Sequence, residues 1–92
     1  MITKLKEKIS KMIYLTSAKY VKSQEGEIIV FPPYMKHSSF ASFKPTSAGT
    51  ISFGVDEKGK MSCICYGDSH TLRLTCDEED TFLAKKQILG IS

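Results

Sequence analysis

Three cysteines and two histidines are the residues here with the most chemistry to offer. Cys63-Ile64-Cys65, His70 and Cys76 together supply four soft donors of the kind that hold zinc in a tetrahedron. Their spacing argues against that use. Zinc ligand pairs usually stand two to four residues apart on a turn that curls around the ion, whereas a C-x-C pair on a strand sends both sulfurs to one face and closes nothing. The competing expectation is small, buried thiols in a strand. An odd cysteine count also fits no closed disulfide framework, so free thiols are expected.

Nucleophilic catalysis needs a nucleophile, a base and an orienting group. His37 precedes Ser38 and Ser39, and His70 follows Asp68 and Ser69. Neighbours on a strand face opposite ways, so adjacency makes no triad. No G-x-S-x-G elbow and no phosphate-binding glycine loop is present. No catalytic residue is assigned and the expectation is a non-enzymatic protein without a cofactor.

Charge carries more. Residues 1–44 hold eight lysines and three acids, and residues 45–92 hold five basic and seven acidic residues, a front of about +5 against a tail of about −2. Lys4, Lys8, Lys11, Lys19 and Lys22 are interleaved with Tyr14 and Tyr20. Lysine neutralises phosphate and tyrosine stacks on unpaired bases, so these seven form the expected partner surface. Twelve lysines stand against one arginine, Arg73. Base-specific readers favour arginine, whose fork bonds guanine twice, so the positive charge reads as general. A second expectation is a small-ligand site, such as one for a nucleotide signal, lined by Ser47, Gly49, Ser69 and His70 at loop ends.

These residues need elements to place them. With 92 residues, 41% of them hydrophobic and 25% charged, the chain is expected to form a single domain over 1–92 with one modest core. Ile2, Leu5, Ile9, Met12 and Ile13 recur at helical spacing, with Lys4, Lys8 and Lys11 opposite, which predicts a helix over 2–12. Tyr14–Lys22 and Glu27–Phe31 flank Ser23-Gln24-Glu25-Gly26 and predict a hairpin, closed by Pro32-Pro33. Residues 34–43 predict a short helix or ordered loop, and Lys44–Ser47 a connection. Thr50–Val55 and Met61–Tyr66 alternate around a polar turn at 56–60 and predict a second hairpin. Gly67-Asp68-Ser69 reads as a turn and His70–Thr75 as a further strand, with Leu72 and Leu74 on one side.

A final helix is expected behind Thr75 or Asp77 as its cap, Thr75 with Glu78 fitting a capping box, with acidic residues in its first turn and Gly90 at its end. Phe82, Leu83 and Leu89 are its expected core contacts. The fold class predicted is α+β: an antiparallel sheet of four to five strands with an N-terminal and a C-terminal helix, the helices on one face. No stretch approaches the ~18 apolar residues of a membrane span, and no secretory leader is recognisable, so a cytoplasmic protein without a membrane partner is expected.

At Gly26-Glu27-Ile28-Ile29-Val30-Phe31-Pro32, at His37, at Ser47-Ala48-Gly49 and at Tyr66-Gly67-x-Ser69 the chain resembles small accessory proteins of tailed phages and prophages. Glu79-Asp80 and Gln87 in the closing helix fit the same pattern. The resemblance covers about residues 20–89 and leaves the lysine-rich start as an addition. It implies a phage-encoded protein in the bacterial cytoplasm that binds a host protein or ribonucleoprotein stoichiometrically. Inhibition of an RNA-guided defence complex, an anti-CRISPR role, leads among the activities it implies. The lysines would then meet guide RNA or other nucleic-acid phosphates.

Overall fold

The computed structural model describes residues 13–90. The helix expected over 2–12, with Lys4, Lys8 and Lys11, lies outside the described residues.

The described chain is an α+β fold. Strand β1, Ile13–Lys22, turns through Gly26 into β2, Ile28–Phe31. A 3-10 helix, His37–Phe43, leads to β3, Ser47–Val55, and a polar turn returns it as β4, Met61–Tyr66. These four strands form one antiparallel sheet in the order β2-β1-β3-β4. Two short strands, β5 (Asp68–Ser69) and β6 (Leu74–Thr75), pair separately. Helix α1, Asp80–Ala84, widens into a π turn over Lys85–Leu89, and Gly90 ends it in the left-handed conformation.

Alternation along the strands divides the core in two. On one face Tyr20, Ile28, Ile51, Cys63 and Cys65 pack with Ala84, Leu83 and Leu89 of the C-terminal helix. On the other, Val21, Phe31 and Ala48 pack with Met35 and Phe40 near the 3-10 helix and with Leu72 and Leu74. Cover is therefore found on both faces, where one had been expected. Phe40 stacks on Phe31 at 4.1 Å between centroids, which seats the 3-10 helix.

The C-terminal helix also reaches both sheet edges. Thr81 Oγ1 accepts the amide of Cys65 on β4, at 2.9 Å. Gln87 Oε1 accepts the amide of Ile28 on β2, and Gln87 Nε2 donates to the Gly26 carbonyl, each at 2.8 Å. An edge strand needs such partners because its outward backbone groups have none in the sheet.

Five expectations about the elements need correction. Strand β3 begins at Ser47, three residues before Thr50, because the small Ser47-Ala48-Gly49 run pairs with Lys22, Val21 and Tyr20. Asp68-Ser69 is a strand rather than a turn. Of His70–Thr75 only Leu74–Thr75 is strand, since residues 70–73 make the loop, with Arg73 at a φ of 56°. The capping box of Thr75 and Glu78 is replaced by Asp80, whose own carboxylate accepts the Asp77 amide at 3.0 Å. Phe82, expected in the core, is 57% exposed, whereas Leu83 and Leu89 do pack there.

Candidate functional site

The expected partner surface is split by the fold. Tyr20 and Lys22 share a strand face with the C-terminal helix and are buried, with Tyr20 at 0% and Lys22 at 4% exposure. Tyr20 therefore offers no ring to a base, and Lys22 no charge to a phosphate. Lys22 Nζ lies 2.6 Å from Glu79 Oε1, 3.1 Å from Asp77 Oδ2 and 3.1 Å from Asp80 Oδ1. Asp80 is fully buried, and its Oδ2 accepts hydrogen bonds from Tyr20 Oη and Ser47 Oγ, both at 2.6 Å. A buried charge persists only when paired and hydrogen-bonded in this manner.

The titration of these groups follows from that geometry. Burial alone would lower the Lys22 pKa, but hydrogen bonds to Glu79, Asp77 and Asp80 outweigh it and hold the ammonium above the usual lysine range. Burial would raise Asp80, but the donors Ser47, Tyr20, Asp77 and Lys22 hold it below the usual carboxylate range. Burial, then the bond to Asp80, pushes Tyr20 up. Asp77, Glu79 and Asp80 are also the one group of metal-competent ligands gathered among the described residues. Lys22 Nζ occupies the position between them that a cation would need, so the cluster is an internal ion pair. Ser47, expected at a ligand, belongs to this network.

The alternative zinc set is not assembled. Cys63 and Cys65 are buried in β4, while the His70 side chain is 94% exposed. Burial pushes the Cys65 thiol up to about 12 and also raises Cys63, so both are neutral thiols in the metal-free fold.

Among the described residues, two concave regions lie on the face opposite α1. A cleft of about 290 Å³ lies between the 3-10 helix and the β5–β6 loop, where Lys19, Lys36, Thr50, Asp68, Ser69 and His70 meet with His37 and Thr71. Lys19 Nζ donates to the Met35 carbonyl at 3.0 Å, which uses one of its three N–H groups and holds it at the cleft. His37 Nε2 stands 2.9 Å from the Gly49 carbonyl, which can only accept, so this nitrogen carries the proton. Gly49 thus supports the cleft through His37. A Cβ on Gly49 would stand 2.4 Å from the Tyr66 carbonyl, so no other residue fits there.

Beside the cleft, a groove of about 480 Å³ is lined by Tyr14, Ser17, Ser52, Ile64 and Tyr66. Ser52 Oγ lies 2.8 Å from both Ser17 Oγ and Tyr66 Oη, so three hydroxyls form one chain. Of the two residue sets expected from the sequence, the ligand set converges better: Ser69 and His70 line the cleft and Gly49 braces it. Of the lysine–tyrosine set, Lys19 reaches the cleft and Tyr14 the groove. Lys36, Thr50, Asp68 and Tyr66 were missed. Thr50, Tyr66 and Asp68 lie on three different strands and Lys36 in the loop before the 3-10 helix, so only the tertiary fold brings them together.

Comparison with protein-family models, with curated protein sequences and with solved structures found no match. No helix among the described residues is long and apolar enough to cross a membrane.

Proposed function

We propose that the protein is a non-enzymatic binder of a nucleotide-type ligand, with the cleft around Lys19 and Lys36 as its phosphate site. The observation that carries this is the convergence of two lysines with the hydroxyl side chains of Thr50, Ser69 and Thr71 on one concave surface. Ammonium and hydroxyl donors are the groups that hold phosphate oxygens. Asp68, the acidic side chain in the same lining, is suited to accept a ribose hydroxyl, as carboxylates do in dinucleotide sites. Acid beside base favours a sugar phosphate over a bare anion. Sequestering such a ligand needs no reacting group in the cleft.

A second reading keeps the phage-type role: the same lysines would lie against the phosphates of a nucleic acid inside a host defence complex and exclude its target. Lys19, supported by Lys36, is the observation that favours it, because phosphate chemistry is common to both readings. Calorimetric titration separates them. A panel of nucleoside mono- and diphosphates is expected to bind the protein, and the pair Lys19→Gln and Lys36→Gln to weaken that binding about tenfold or more, in line with the loss of charge-assisted contacts. Binding of a single-stranded oligonucleotide but of no mononucleotide would replace the first reading by the second. No binding of either would overturn both.

A further inference from the structure

We infer that the open sheet face beside the cleft is a stacking platform for a nucleobase, so that the base of the ligand lies over Tyr66 and Tyr14 while its phosphate meets Lys19. This rests on the phosphate reading of the cleft and adds the part of the ligand that the cleft does not explain.

Strand register makes cleft and groove one surface. Lys19 stands opposite Thr50, and Thr50 opposite Tyr66, so phosphate-facing residues and an aromatic ring occupy one row across three strands. The next row is Ser17, Ser52 and Ile64, and the third is Tyr14, Gly54 and Ser62. Rows on one face are about 7 Å apart, so a ligand seated at Lys19 reaches the groove without leaving the sheet. Val21 and Ala48, one row behind Lys19, are already covered by the second core. Among the described residues, the cleft thus marks the boundary between the covered and the open half of this face.

The open half has the composition of a base platform. Tyr14 and Tyr66 are 47% and 45% exposed, and neither belongs to a core cluster. Aromatic rings standing on a sheet bind unpaired bases by stacking and tolerate any base, because each base has a π-face. The hydroxyls of Ser17, Ser52 and Tyr66 bond one another and keep spare donor and acceptor capacity for a base edge. Gly54, directly across from Tyr14, adds no side chain to this floor, and a Cβ there would stand 2.2 Å from the Ile13 carbonyl. Ile64 supplies an apolar patch between the polar rows.

The test compares inorganic pyrophosphate with nucleoside diphosphates on the full chain. The chain contains four tyrosines and no tryptophan, so tyrosine emission reports stacking directly. The nucleotide is expected to bind more tightly than pyrophosphate and to quench tyrosine emission. Tyr66→Ala and Tyr14→Ala are expected to weaken nucleotide binding about tenfold each while leaving pyrophosphate binding unchanged. Tyr66→Phe, which keeps the ring and loses only the bond to Ser52, is expected to retain most of the affinity, and it guards against misfolding as the cause. Equal binding of both ligands, with no quenching and no effect of the tyrosine variants, would overturn the platform while leaving the phosphate cleft standing. Absence of binding by either ligand would overturn the platform together with the cleft.

Discussion

Lys22 is the residue that fastens the core face under α1. Its ammonium meets Asp77, Glu79 and Asp80, and Asp80 in turn holds Tyr20 and Ser47. Replacing it as Lys22→Met leaves Asp80 charged and buried without its cation. Such a break costs about 3–5 kcal/mol, a large part of the stability of a small domain, and urea denaturation is expected to show that loss. Tyr20→Phe removes one donor to the same carboxylate and is expected to cost about 1.5–3 kcal/mol, the range for bonds to charged groups. The pH dependence follows from the directions of the shifts. Asp80 sits below its ordinary 3.8, so its contribution is fully present above that value and is lost progressively as pH falls from there through its lowered folded value. Lys22 sits above its ordinary 10.5, so its contribution is complete below that value and is lost only at higher pH. Melting temperature is therefore expected to fall on the acid side below about pH 4, and Asp80→Asn to flatten that limb. None of this was readable from the sequence. Lys22 and its partners stand 55 and 57 positions apart, and a lysine in a charged run reads as solvated. The unequal charge of the two halves is in part this one internal pairing.

At the scale of elements, each hairpin was legible because alternation and turn glycines are local signals. The start of β3 was not, since Ser47-Ala48-Gly49 carries no apolar alternation and is strand only because β1 pairs with it. The β5–β6 loop was misread for the same reason: two-residue strands leave no period to find. The C-terminal helix was expected, but its short α segment and π turn were not, because they serve the long-range bonds of Thr81 and Gln87 to opposite sheet edges. Gln87→Ala is expected to speed hydrogen exchange of the Ile28 amide by about fivefold or more while the amide of Cys65, held by Thr81, stays protected. Uniform acceleration of both would mean that the helix leaves the sheet as one unit. Gly49→Ala is expected to destabilise the junction of β3 with the cleft, because its Cβ meets backbone rather than a movable side chain.

For the molecule as a whole, the two sheet faces differ in how they are covered. One face is closed by α1 and fastened by Lys22 and Asp80. The other is covered at one end and, among the described residues, open at the other, and the cleft and the groove lie there. The smaller part of the candidate site was visible in the sequence, as Lys19, Ser69 and His70 in the cleft and Tyr14 in the groove, with Gly49 as a brace. The rest required knowing which residues share a row. The most direct test of the central claim is calorimetric titration of the folded chain with nucleoside diphosphates, run beside the Lys19→Gln, Lys36→Gln pair. Saturable binding that this pair weakens about tenfold is the predicted result. Binding that the pair leaves unchanged, in a variant that melts like the parent, would contradict it.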